Sequence, residues 1–111
     1  MSMESLSPDE SRALQDLMDG LRVIYGDRLQ RAILYGQKMR GPKSSDLDVL
    51  IVIREMNNRN EELGRVHRVT EPITIERDIL ITVIPVDEAE LEKRVETAFF
   101  SNILNRGIPL G

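Results

Sequence analysis

The chain has 111 residues, no cysteine, one histidine and a net charge of -4. That length supports one domain, residues 1–111, with a core of its own. The missing cysteines exclude a disulfide scaffold and a Cys-based zinc site, and the lone His67 excludes a multi-histidine centre. Any metal must then be held by oxygens, which points to Mg2+ or Mn2+. No apolar run reaches the ~20 residues of a membrane span, and the acidic, polar N-terminus is unlike a signal peptide. A cytoplasmic protein is expected, with no membrane contact and with nucleic acid disfavoured as a direct ligand by the acidic balance.

The first element is strongly signalled. Ser7-Pro8-Asp9-Glu10 has the form of a capping box with proline at the first helical position. Leu14, Leu17, Met18, Leu21 and Ile24 recur at helical spacing, and Gly26 is a fitting stop, so a helix is predicted over 7–26. A short strand is predicted near Arg31–Tyr35, then a loop rich in glycine, serine and basic residues, then a second strand, Leu47–Ile53.

From Asn57 to about Thr70 the sparse apolar spacing predicts a second helix, ended by Pro72. Ile73 to Val86 reads as β-rich, an alternating Ile73-Thr74-Ile75-Glu76 followed by a third strand in DILITVIPV. Asp87 with Glu90 repeats the capping pattern and starts a helix through about Val95. A last helix, Ala98–Asn105, stops at Gly107, before a small edge strand at Ile108-Pro109-Leu110. The pattern predicts an α/β (α+β) fold, a small mixed sheet with helices packed against it. Phe99, Phe100, Ile103 and Leu104 read as core, and His67 as a surface helix residue.

The chemistry concentrates between the first two strands. Side chains alternate across a strand, so Asp46 and Asp48 point the same way while Leu47 and Val49 point the other. Two like charges on one face repel, and a divalent cation between them resolves the conflict. In the preceding loop, Gly36 and Gly41 let backbone N–H groups approach an anion. Lys38, Arg40 and Lys43 add charge, and Ser44 and Ser45 add hydroxyls. Asp78 heads the next apolar run, with Glu76 two residues before it as the competing third carboxylate. If the strands are neighbours, their starts bring the acids together, and three carboxylates can hold two metal ions.

The run GQKMRGPKSSDLDVLIVI resembles the signature of the nucleotidyltransferases of the DNA polymerase β superfamily. That signature is a Gly-Ser loop, an Arg-Gly pair and Asp-x-Asp opening a strand, with a third Asp later. The chain is most similar to the minimal nucleotidyltransferase domains, whose tail FFSNILNRGIPL also resembles, so the resemblance spans residues 29–110. It implies that Asp46, Asp48 and Asp78 are metal-binding and catalytic, and that Gly36, Gln37, Arg40 and Ser45 contact the nucleotide. The implied reaction is transfer of a nucleoside monophosphate, AMP from ATP, to an acceptor hydroxyl. It further implies a partner: the family pairs with helical HEPN proteins in toxin–antitoxin modules, where the nucleotidyltransferase acts as antitoxin. An acceptor-binding domain is expected to come from another chain. Gln37 stands where the family has Ser, and its amide is longer and bulkier than a hydroxyl beside a tight glycine. The alternative is therefore a weak or inactive fold that neutralises a partner by binding alone. A small aminoglycoside-modifying enzyme is a third reading, and a homo-oligomer is left open.

Overall fold

The computed structural model describes residues 6–36 and 47–111. Helix α1 spans Pro8–Tyr25, a single 3-10 turn follows at Gly26–Arg28, and β1 runs Leu29–Tyr35. After β2, Leu47–Ile53, come α2 at Arg59–Arg77, β3 at Ile81–Asp87, α3 at Glu88–Arg94, α4 at Ala98–Arg106 and β4 at Ile108–Pro109. The sheet has the order β3-β2-β1-β4, with β1 antiparallel to β2 and β4, and β2 parallel to β3. The mixed α+β architecture is the one expected.

The capping box of α1 is complete: the Glu10 N–H donates to Ser7 Oγ at 3.1 Å and the Ser7 N–H to Glu10 Oε1 at 2.8 Å. Its inward stripe, Ala13, Leu14, Leu17, Met18 and Leu21, packs with α2 on one face of the sheet, against Ala32, Leu34, Val49, Ile51 and Val83. The opposite face, with Ile33, Leu50, Val52 and Val86, is covered by Leu91 of α3 and Ile103 of α4. Strand β2 lies between the two layers, and every residue of it is buried except Asp48. A strand buried on both faces reads as a continuous apolar run, which is why LDVLIVI needs only one polar position.

Two expectations are corrected. Pro72 does not end the second helix; α2 continues through it to Arg77. A proline inside a helix costs about 3 kcal/mol. Burying Ile73, which is 6% exposed, returns roughly 2 kcal/mol of that. Arg77 adds an ion pair with Asp16 of α1 at 3.0 Å. The Ile73–Glu76 segment is therefore helix rather than strand, and the third strand begins only at Ile81. Pro85 lies within β3, at the sheet edge where a missing N–H is tolerated.

At the far end of the sheet a polar cluster fastens α2 to the base of β1. Buried Glu62 accepts a hydrogen bond from the Tyr25 hydroxyl at 2.9 Å and one from Arg65 Nη1 at 2.9 Å. Arg28 approaches its other oxygen at 3.6 Å and donates to the carbonyls of Arg54 and Glu55. No helix of the described residues is long and apolar enough to cross a membrane.

Candidate active site

The site is built where β1 ends and β2 begins. The pairing places Tyr35, Asp48 and Thr82 in one row across β1, β2 and β3. Asp48 alternates with the buried Leu47 and Val49 and so faces the α3/α4 side with Leu50. It is half-buried, and among the described residues no basic side chain lies within ion-pair distance of it. Its charge is felt by its neighbour: burial, and then Asp48, push the Tyr35 phenol up to about 12.

Gly36 follows directly on β1 with φ of +78°, a conformation that side-chain-bearing residues rarely adopt. A Cβ there would lie 2.5 Å from Asp48 Oδ2 and 3.2 Å from its Cβ and Cγ. The carboxylate thus rests against the glycine backbone, in space that any other residue would fill. Gly36 and Asp48, singled out separately in the sequence, form one constellation. Gln37, Arg40, Ser45 and Asp46 lie outside the described residues.

Asp78 is placed differently from expectation. It is not the head of a strand but the C-cap of α2, exposed, in the left-handed region at φ 55°, its N–H donating to the Thr74 carbonyl at 2.9 Å. Glu76 is in the last turn of α2, so the two acids do not share a strand face. The register position beside Asp48 on β3 belongs to Thr82. Among the described residues no group of three His, Asp or Glu side chains is arranged to hold a metal. The hard carboxylate oxygens of Asp48 suit a divalent cation such as Mg2+, with any further ligands supplied from elsewhere.

Sequence reasoning missed the wall facing this corner. A cavity of about 660 Å³ opens beside Gly36, lined by Tyr35, Ala98, Phe99, Asn102, Ile103 and Arg106. Phe99, expected in the core, is 49% exposed. It meets Tyr35 edge-on at 6.1 Å and Phe100 at 5.1 Å. The signal was present as the spacing of 99, 102, 103 and 106 along one face of α4.

No family model matches the chain. It is similar to two proteins of Methanocaldococcus jannaschii, each named "Putative protein adenylyltransferase". One is 29% identical over 97 residues, covering 86% of this chain and 92% of the relative. The other is 25% identical over 101 residues, covering 89% and 95%. Both likenesses run through nearly the whole length of each partner, so they take in strands β1 to β3 and the Gly36–Asp48 corner together.

Proposed function

We propose that the chain is a metal-dependent nucleotidyltransferase that moves AMP from ATP onto an acceptor hydroxyl. The observation that carries this reading is the seating of the Asp48 carboxylate against Gly36 at the mouth of two paired strands. The names of the two relatives support nucleotidyl transfer, and the resemblance to minimal nucleotidyltransferase domains supports the same chemistry. In the reaction an acceptor oxygen attacks the α-phosphorus, a P–O bond forms, and the bond to the β-phosphate breaks to release pyrophosphate.

A divalent cation, when bound, neutralises charge that shifts onto the leaving group. Asp48 would hold it, and Asp46, the other acid of the Asp-x-Asp pair, would join it. Gly36 leaves the approach beside Asp48 open, and the loop of Gln37, Arg40 and Ser45 would cradle the phosphates. Tyr35 stays protonated at neutral pH and offers a hydroxyl donor at the same corner. The acceptor is best sought on a partner protein, a helical chain of the HEPN type, with this chain as its antitoxin.

One observation favours a second reading, binding without transfer: Thr82, rather than a third carboxylate, occupies the row beside Asp48. A hydroxyl with its ordinary basicity cannot take the proton of the attacking oxygen. Label transfer separates the two. The protein is incubated with α-labelled ATP, Mg2+ or Mn2+, and a candidate partner, beside Asp48→Asn. A labelled partner band seen only with the parent establishes transfer. ATP binding without any label leaves partner binding as the activity, and a parent that neither binds ATP nor labels a partner removes the nucleotidyltransferase reading.

A further inference from the structure

We propose that the cavity between the end of β1 and α4 is the nucleoside pocket, selective for adenine, with Phe99 stacking on the base and Asn102 reading its edge. The inference rests on the nucleotidyltransferase reading only for its choice of ligand. The pocket itself stands on geometry.

Its volume of about 660 Å³ falls within the ~300–1,000 Å³ usual for small-molecule sites. It is continuous with the candidate active site, because Tyr35 and Gly36 belong to both. A triphosphate reaching Asp48 would therefore leave its nucleoside within reach of α4. The lining divides by chemistry as a nucleoside requires. Phe99 gives an aromatic surface, half exposed and fixed in orientation by its edge-on contacts with Tyr35 and Phe100. Fixed aromatic surfaces are what bases stack on. Ala98 and the buried Ile103 supply an apolar floor.

Asn102 stands three residues from Phe99, on the same side of the helix and exposed, with no hydrogen bond to other described residues. An amide presents a donor and an acceptor side by side, the pattern that pairs with the N6 amino group and a ring nitrogen of adenine. At the edge that carries N7, adenine gives the amide a donor and an acceptor, N6 and N7, whereas guanine presents two acceptors, O6 and N7, and leaves the amide oxygen unpaired. Arg106, one turn further, places a cation at the same mouth, where ribose-linked phosphate oxygens would lie.

The second cavity that touches Phe99 lacks these free groups. It is lined by Arg59, Asp87, Glu90 and Arg94, and all four are engaged. Asp87 caps α3, Glu90 pairs with Lys93 and Arg94, and Arg59 donates to the Pro85 carbonyl. It also opens beside α3 rather than beside Gly36.

The test is titration of the full chain with AMP and with GMP, followed by NMR, without metal, so that it is read independently of transfer. AMP is expected to shift the resonances of Phe99, Asn102 and Ile103 and to bind more tightly than GMP. Phe99→Ala should weaken AMP binding about tenfold, within the range base–aromatic stacking spans, and Phe99→Trp should restore it. Asn102→Ala should bring AMP and GMP to equal affinity. AMP shifts confined to another part of the chain, or no shifts up to millimolar nucleotide, would overturn the pocket. So would label transfer from ATP that survives both α4 substitutions at the parent's KM, and in that case the nucleotidyltransferase reading would stand. AMP binding as described, with no transfer to any partner, would keep the pocket and remove the enzyme.

Discussion

Gly36→Ala probes the active-site corner most directly, because two separable effects follow from one methyl group. The first is backbone strain. At φ +78° an L-residue costs about 1–2 kcal/mol, and the stiffer unfolded chain of alanine returns up to ~1 kcal/mol. The net loss of stability is then about 1 kcal/mol, a fall in Tm of about 4 °C. The second effect is displacement. The new Cβ would stand 2.5 Å from Asp48 Oδ2, so the carboxylate must retreat by about 0.9 Å to reach ordinary contact at 3.4 Å. Its Cβ and Cγ, at 3.2 Å, are also tight, so rotating the carboxylate alone does not relieve the contact. A misplacement near 1 Å in a reacting constellation costs about 100-fold in rate.

Gly26→Ala supplies the control. Gly26 also has a positive φ, 52°, but an added Cβ there would meet nothing within 4 Å. That variant should lose comparable stability and keep full AMP transfer or Mg·ATP binding. Both proteins are to be assayed well below their melting temperatures, with rates normalised to the folded fraction from circular dichroism. If Gly36→Ala loses no more activity than Gly26→Ala, the position of the Asp48 carboxylate is not what Gly36 protects, and the site assignment fails.

The other expectations concern the frame that carries the site. Pro72→Ala removes an interior helix proline at an exposed position of α2. It should raise stability by about 2 kcal/mol after the loss of proline's effect on the unfolded chain; an unchanged urea midpoint would mean that α2 bears no strain there. Ser7→Ala removes the acceptor of the Glu10 N–H and should cost about 1 kcal/mol, read as a drop in Tm without loss of nucleotide binding. Tyr25→Phe deletes the hydrogen bond to buried Glu62, worth about 1.5 kcal/mol for a charged acceptor. Burial and then Glu62 hold the Tyr25 phenol well above its ordinary range. The folded state therefore keeps a proton that the unfolded chain loses near pH 10. Stability should be flat below that pH and fall above it, by up to about 1.4 kcal/mol per pH unit from this group. Urea midpoints between pH 9 and 11 should decline less steeply for Tyr25→Phe, and an equal slope would show that this phenol does not govern the alkaline limb.

How much of this was legible follows from which signals were local. The capping box of α1 and the apolar run of β2 depend on neighbours in sequence, and both elements lie where expected. The true length of α2 was hidden because its buried stripe, Glu62, Val66, Thr70 and Ile73, is half polar. Glu62 can be buried only because Tyr25 and Arg65 satisfy it, and that is a tertiary fact with no trace in local hydrophobic period. With Glu62 and Thr70 unread as core, Ile73-Thr74-Ile75-Glu76 looks like a strand, and Pro72 looks like a stop.

The misread helix end moved the third carboxylate. Asp-x-Asp after a glycine loop is a local pattern, so Asp48 beside Gly36 could be anticipated from the chain alone. The place of Asp78 depends instead on where β3 starts. Because α2 persists to Arg77, residues 78 to 80 serve to cap the helix and turn the chain, and the sheet is entered at Ile81 opposite Leu47. A strand starting three residues earlier would have put Asp78 in the sheet. The observed start puts Thr82 in the row with Asp48 and Tyr35. That shift has a chemical consequence. A carboxylate in that row could take a proton from the acceptor, whereas a threonine hydroxyl can only hydrogen-bond a phosphate or the acceptor itself. If transfer occurs, the base must then be Asp48, a residue of the loop before it or a group on the acceptor. Thr82→Val should therefore weaken binding more than it slows the chemical step. A kcat loss with unchanged KM in that variant would place the hydroxyl in the reaction rather than beside it.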